Sequence, residues 1–291
     1  MKLPEVTIKQ LLEAGVHLGH KTLRWNPKMK QFIFGSKNSI HIIDLVQTLE
    51  MVNAALIQMH KCISSGGKVL FVSTKKQASE AVANLAKETS QYYVNHRWLG
   101  GMLTNWNTIS NSIKRYKKLS IDLKKEITGF TKKEVLKMGI QRDKLERSLG
   151  GISEMKKIPD LIFIIDTNAE QLAVKEAQKL KIPIVAILDT NSDPTGIDHP
   201  IPGNDDARRA INLYCDLVKK TILDAQQNIS PQLEKEQNLE TSKNKEGIEA
   251  KEEKPVKKII KKKSSEKIKT VKKISKSIFS KVKSLTAKSP K

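Results

Sequence analysis

Short apolar runs alternate along this chain with segments of helical periodicity, and this alternation limits the fold more than any other feature. The runs 68–72, 161–165 and 183–188 have the length and the Val, Leu and Ile content of buried strands. After the first two runs, apolar residues recur every three or four positions, as on one face of a helix. Such units predict an α/β fold with a doubly wound parallel sheet of flavodoxin or Rossmann type. We expect one more strand at 91–94 and a small hairpin at the sheet edge over 32–43.

The segment 106–150 follows a different pattern. Its apolar residues recur at helical spacing in two blocks that are separated by Gly129, and Thr131 with Glu134 forms a capping-box pair before the second block. This predicts an antiparallel helical hairpin inserted into the α/β domain, with lysines and arginines outside its apolar stripe. The hairpin either reaches a partner or is a solvated antiparallel coiled coil.

The basic charge is concentrated towards the C-terminus. Of a formal net charge of +22, residues 251–291 contribute 16 Lys against 3 Glu, or +13, which leaves +9 on residues 1–250. Even the smaller surplus suits a polyanionic partner, because lysines and arginines displace counterions from phosphates. A last helix is expected over 205–225, and apolar periodicity then fades. We therefore expect a core domain over 1–228 and a disordered, lysine-rich, low-complexity tail over 229–291. Contact of the tail with RNA, or with an anionic membrane surface as a basic amphipathic helix, remains an alternative.

Cysteine use and hydropathy indicate a cytosolic protein. Cys62 and Cys215 are far apart and have no metal-ligand spacing, which argues for a reducing compartment. The first residues lack the apolar run of a signal peptide. We also expect no membrane span, because no apolar stretch approaches the ~18 residues that a span requires.

The segment 95–106, Asn-His-Arg-Trp-Leu-Gly-Gly-Met-Leu-Thr-Asn-Trp, is the most informative for function. It combines two of the three tryptophans with basic residues and a glycine pair. Such a mixture favours stacking on bases and binding of phosphates. The candidate RNA-binding residues here are His96, Arg97, Trp98 and Asn105. Alternatively, Trp98 and Trp106 pack inward beneath a capped loop.

Further RNA-binding candidates are basic or polar residues in loops and at helix starts: Lys21, Arg24, Trp25, Lys28, Thr74, Lys75, Arg208 and Arg209. Trp25 either stacks on a base or packs beneath its loop. Thr74 and Lys75 open a helix, whose first backbone amides could hold a phosphate; an ordinary helix cap is the alternative. The pair Arg208 and Arg209 starts the last helix, where acidic residues are usual, which indicates an anionic neighbour.

Two aspartates invite an enzymatic interpretation. Asp166 and Asp189 each end an apolar run within an Asp-Thr-Asn sequence, and α/β folds place ligands at the carboxyl ends of parallel strands. A metal-dependent phosphohydrolase is therefore an alternative function. Against it, the second acid that phosphoryl transfer would need is Asn168 or Asn191, and no glycine-rich nucleotide loop or nucleophile elbow occurs.

A cation site is a further possibility. His20 follows the first helix in a predicted loop, Asp189 ends a strand, and Asp205 begins the last predicted helix. One imidazole and two carboxylates suit zinc or a similar divalent ion with an open fourth position. The alternative is that the histidine packs or faces RNA, while the acids cap helices and turns.

Six further segments accompany 95–106 in a fixed order, among them Gly-Val-His-Leu-Gly-His and Ile-Pro-Gly-Asn-Asp-Asp: 15–20, 24–29, 71–75, 159–183, 188–194 and 201–206. Together they resemble the bacterial small-subunit ribosomal protein S two family over roughly residues 5–226. The resemblance implies a non-catalytic constituent of the small subunit that binds ribosomal RNA and neighbouring ribosomal proteins and requires no cofactor. It also implies docking of ribosomal protein S one near the candidate cation site, where a partner could supply the fourth ligand. The residues alone leave open the phosphohydrolase and a free RNA-binding or membrane-surface protein.

Overall fold

A five-stranded parallel sheet lies at the centre of the computed structural model, which describes residues 4–124 and 131–246. The strands are β1 (Leu18–Lys21), β2 (Ile33–Lys37), β3 (Ile40–Ile43), β4 (Val69–Val72), β5 (Tyr92–Val94), β6 (Leu161–Ile165), β7 (Ile184–Leu188) and β8 (His199–Pro202). The helices are α1 (Ile8–Ala14), α2 (Leu45–Ser64), α3 (Lys76–Glu88), α4 (Trp106–Asp122), α5 (Lys132–Leu149), α6 (Gln171–Leu180) and α7 (Arg208–Glu246). The order in the main sheet is β5-β4-β6-β7-β8, and every neighbouring pair is parallel.

The sheet separates two apolar cores. Alternate residues of each central strand face opposite sides: Phe71 and Phe163 belong to one core, whereas Leu70 and Ile162 belong to the other. Helices α2, α3 and α7 cover the first face, and α6 covers the second with the loop after β5. Since both faces are buried, β4, β6 and β7 read as continuous apolar runs without polar alternation. The predicted α/β fold with a parallel sheet is confirmed.

The predicted hairpin over 32–43 forms but lies elsewhere. β2 and β3 pair with β1 in a separate three-stranded antiparallel sheet, in the order β1-β3-β2, and do not extend the main sheet. Asn38 and Ser39 connect β2 to β3 with φ of 51° and 61°, as in the mirror-image turns that match strand twist. His20 consequently lies in β1, not in the predicted loop.

Helices α4 and α5 occupy the segment assigned to the inserted hairpin. The predicted capping box is confirmed: Thr131 N donates to Glu134 Oε2 at 2.9 Å, and Glu134 N donates to Thr131 Oγ1. Arg115 on α4 donates to Gln141 Oε1 on α5 at 3.3 Å. The break predicted at Gly129 lies outside the described residues.

The last helix differs from its prediction at both ends. It starts at Arg208, after Asp205, and its 39 residues continue into the segment assigned to the tail. Apolar periodicity fades after residue 225, so the sequence pattern did not reveal the continuation. Residues 1–233 group as one compact unit, whereas the predicted tail beyond residue 246 lies outside the described residues. Among the helices that the structure describes, none is long and apolar enough to cross a bilayer.

Candidate RNA interface and cation site

The loop after β5 is organised around the carboxylate of Glu176 on α6. Its Oε1 accepts hydrogen bonds from Trp98 Nε1 at 3.0 Å and Gly101 N at 2.8 Å. Its Oε2 accepts from Leu103 N at 2.9 Å, from Thr104 N at 3.0 Å and from Thr104 Oγ1 at 3.1 Å. Burial acts to raise the pKa of Glu176, but these donors outweigh it and hold the pKa below its usual value. The ionised carboxylate therefore ties the loop to α6.

Trp98 belongs to this support and not to an open surface. The side chain is only 6% exposed, and its ring packs in the core on the α6 side of the sheet. The inward-packed alternative therefore describes Trp98, which corrects the predicted contact with RNA. Trp106 is half-buried and packs against the same core. Gly101 has a φ of 81°, which explains one glycine of the pair by backbone conformation.

Other predicted RNA-binding residues do face solvent. His96, Arg97 and Asn105 are exposed on either side of the segment that Glu176 holds. Arg208 and Arg209 are exposed at the start of α7. Several backbone amides of this loop are already bound to the protein's own carboxylate, so its exposed side chains are the groups that remain free to contact a ligand.

The four predicted residues at the end of β1 and in the segment after it are also exposed: Lys21, Arg24, Trp25 and Lys28. Trp25 keeps 37% of its surface accessible, with its ring 5.4 Å from that of His41. Lys28 Nζ donates to Asp193 Oδ2 at 2.8 Å. The same Nζ donates to Thr195 Oγ1 at 2.9 Å, and the side chain remains 55% exposed.

Lys75 has a role that the sequence did not reveal. Its Nζ lies 2.8 Å from Asp205 Oδ1 and also pairs with Asp206, while the side chain is 17% exposed. Burial alone would lower the pKa of Lys75, but the hydrogen bonds to Asp205 and Asp206 raise it. The backbone amide of Thr74 donates to Glu170 Oε1 at 2.7 Å. Neither group is presented as a free phosphate ligand, which corrects the prediction for this helix start.

The three predicted cation ligands lie together at the carboxyl-end edge of the sheet. His20, Asp189 and Asp205, joined by Asp206, each offer one ligand atom, and these atoms lie within 4.8 Å of one another. His20 Nδ1 is 2.8 Å from Asp189 Oδ2, and its Nε2 is 3.5 Å from Asp206 Oδ2. Sequence reasoning missed Asp206, although its position directly after Asp205 was the available signal.

The topology explains why residues so distant in sequence meet here. Asp189 follows β7, and Asp205 follows β8, the next strand in the sheet. β1 is held against the same edge, because His20 N donates to Thr190 Oγ1 at 3.0 Å and Asn26 N donates to Thr190 O at 2.7 Å.

A carboxylate oxygen of this cluster is left without a hydrogen bond among the described residues. Burial, followed by the charge of Asp189, raises the pKa of Asp205 to about 7. The hydrogen bond to Asp189 raises the pKa of His20 against the effect of burial. Asp205 Oδ2 is buried and has no hydrogen-bond partner among the described residues. Imidazole nitrogen and carboxylate oxygens are ligands that zinc accepts, so the residues fit a divalent cation.

Comparisons with known proteins agree with this architecture. A family model described as Ribosomal protein S2 matches residues 11–225. The small ribosomal subunit protein uS2 of Parvibaculum lavamentivorans is 59% identical over 224 residues, which are 77% of this chain and 88% of that protein. Proteins of the same name from Sinorhizobium medicae and Agrobacterium fabrum are 59% and 58% identical over equal shares. The matched region carries the sheet, the loop after β5 and the acidic cluster, and the chain belongs to the ribosomal protein S2 family.

Proposed function

We propose that this chain is a structural constituent of the cytoplasmic small ribosomal subunit and binds ribosomal RNA through exposed side chains on rigidly held loops. Its family is one of structural ribosomal proteins, so the chain is not an enzyme. The observation that carries the RNA proposal is the loop after β5, where Glu176 holds the backbone while His96 and Arg97 face solvent. Lys21, Arg24, Trp25, Lys28, Asn105, Arg208 and Arg209 are the other proposed contacts.

Salt dependence tests the RNA contacts. Affinity of the full chain for small-subunit ribosomal RNA should fall steeply between low and physiological salt, because each phosphate contact releases counterions. Arg97→Ala should weaken binding about tenfold and lower the salt slope by about one. Lys9→Ala, which removes an exposed cation on α1, is the matched control. Salt-insensitive binding, or equal losses in both variants, would contradict the proposal.

The pair α4 and α5 is proposed to contact a neighbouring ribosomal protein. Ile121, Leu136 and Ile140 are 54%, 67% and 61% exposed, although apolar side chains usually pack. Leu136→Ser should leave the melting temperature unchanged and reduce incorporation into subunits in competition with the wild type. Unchanged incorporation would favour the solvated coiled coil.

The acidic cluster is proposed to hold a divalent cation such as zinc, near a docking site for ribosomal protein S one. His20, Asp189 and Asp205 would be the ligands, with Asp206 beside them, and a donor from the partner would fill the fourth position. Elemental analysis of purified subunits should show less zinc with Asp189→Ala than with Asp193→Ala, an acid outside the cluster. Equal zinc in both, with protein S one retained, would remove this proposal.

A core and a lysine-rich tail are the proposed division of the chain, with the boundary near residue 228. A chain truncated after Asn228 should keep the melting temperature of the full chain and lose RNA affinity at low salt, because the 16 lysines of residues 251–291 are removed. A large fall in melting temperature would contradict this division.

The phosphohydrolase alternative is not favoured. Asp166 has a φ of 68°, and its Oδ1 accepts the amides of Asn168 and Ala169 at 3.0 and 3.1 Å, which is turn chemistry. Its Oδ2 lies 3.3 Å from the ammonium of Lys75, whose side chain is partly buried. A free RNA-binding or membrane-surface protein is likewise not favoured by the family. A sucrose gradient in which the native chain sediments away from ribosomal particles would revive that alternative.

A further inference from the structure

The exposed pair His96 and Arg97 lies between two anchored pieces of backbone. On one side, Ser79 Oγ on α3 donates to Asn95 O at 2.8 Å, and Asn95 Nδ2 donates to Ser79 O at 3.3 Å. On the other side, the segment that starts at Trp98 is held by Glu176. The backbone that carries the two basic side chains is therefore fixed to α3 before the pair and to α6 after it.

The second anchor is an anion site that the protein fills itself. Gly101 N, Leu103 N and Thr104 N converge on one carboxylate, together with the Trp98 indole and the Thr104 hydroxyl. Converging backbone amides of this kind commonly bind phosphate oxygens. Here they are occupied, so they cannot also bind a phosphate of RNA. Recognition at this loop must come from the side chains that the carboxylate holds in place.

We propose that Glu176 is a positioning residue for RNA binding: it touches no RNA, but it fixes the loop so that Arg97 and His96 meet the phosphate backbone. This inference rests on the proposed RNA-binding function. The same geometry predicts that Gln would not replace Glu176 in this role. A carboxamide has one oxygen and one amino group, and the amino group would face donor groups of Leu103 and Thr104 or of Trp98 and Gly101, which would open one side of the loop.

The test uses the full chain and transcribed small-subunit ribosomal RNA, with affinities measured across a salt series. Arg97→Ala should lower affinity about tenfold and the salt slope by about one. Glu176→Gln should reproduce both changes while the far-ultraviolet circular dichroism stays that of the wild type. The double variant should bind no more weakly than the weaker single variant, because residues that act through one another do not lose energy additively.

Asp160→Asn is the matched control. It removes one negative charge, as Glu176→Gln does, from a carboxylate that accepts the amide of Lys68 at 2.9 Å just before β6, away from the carboxyl ends of the strands. It should leave affinity and salt slope unchanged. Glu176→Asp, which keeps the charge and both oxygens, should recover part of the affinity that Glu176→Gln loses and covers the case in which Glu176→Gln fails to fold.

The outcomes separate this inference from the function on which it rests. If Arg97→Ala binds like the wild type, the proposed RNA contact of this loop fails, whatever Glu176 does. If Arg97→Ala weakens binding but Glu176→Gln does not, or if the two losses add, Glu176 has no positioning role. Equal weakening by Asp160→Asn would also overturn the inference, since general destabilisation or charge would then explain the loss.

Discussion

The carboxylates of Glu176 and Asp205 both belong to buried residues, but their hydrogen-bonding surroundings are opposite. Glu176 accepts five hydrogen bonds, and its pKa lies below the usual value. Asp205 has one oxygen bound to Lys75 and the other without a hydrogen-bond partner among the described residues, and burial raises its pKa to about 7. The comparison teaches that donor supply distinguishes a carboxylate that supports a loop from one that is available to a ligand.

The largest expected effect is on stability when Glu176 is removed. Glu176→Ala leaves the Trp98 indole and several loop amides without their acceptor, and we expect a loss of about 4 kcal/mol in the free energy of unfolding. Urea denaturation of the full chain, followed by circular dichroism, measures it. Asp160→Ala should cost far less, because that carboxylate is exposed. Comparable losses would show that the two sites do not differ in the way described.

Removal of the Lys75 ammonium should have the next largest effect on the free energy of unfolding. Lys75→Met leaves the acids Asp166, Asp205 and Asp206 without their shared ammonium, and we expect a loss of about 3 kcal/mol. Lys76→Met, at the neighbouring exposed position, should be neutral in the same denaturation series. If Lys75→Met leaves the free energy of unfolding unchanged, solvent already screens the charges of these acids.

Acidification should distinguish the wild type from Glu176→Gln, whose side chain at this position is neutral. The folded-state pKa of Glu176 lies below its ordinary value of 4.5, so its contribution to stability is complete above pH 4.5 and is lost as the pH falls through the folded-state pKa. Between pH 5 and pH 3, the melting temperature of the wild type should therefore fall more than that of Glu176→Gln. Parallel curves would show that this carboxylate is not selectively stabilised in the folded state.

The smallest effect on the free energy of unfolding is expected for the ion pair between Lys28 and Asp193. Asp193 has a pKa of about 2, chiefly because Lys28 donates a hydrogen bond to it, yet both side chains are about half exposed. Such pairs contribute less than about 1 kcal/mol. Asp193→Asn should therefore change the urea midpoint only slightly, and a loss comparable with that of Lys75→Met would contradict the ranking by burial.

The sequence predicted the parts of the fold and site that follow from local pattern. The buried runs at β4, β6 and β7 were visible because both sheet faces are covered, and parallel topology then placed Asp189 and Asp205 at one edge. β8 was missed because its sequence, His-Pro-Ile-Pro, hides an edge strand among prolines.

Long-range pairings left no local signal. Nothing near Glu176 in the sequence indicates that its carboxylate binds a loop more than 70 residues away. The same holds for Lys75, whose ammonium meets Asp205 across 130 positions. Burial of Trp98 and the altered role of Lys75 both depend on these partners, which only the assembled sheet brings together.

The contacts that hold β1 against the carboxyl-end edge of the sheet also determine when the acidic cluster can form during synthesis of the chain. His20 and Asn26 are translated early, but Thr190, which receives their amides, emerges some 170 residues later. Chains fold from the N-terminus as they are made, and contacts of large sequence separation form last. A nascent chain that has exposed only its first half carries the imidazole but none of the acids of the cluster. The cluster can therefore form only after nearly all of residues 1–206 have been synthesised and β7 and β8 have joined the sheet.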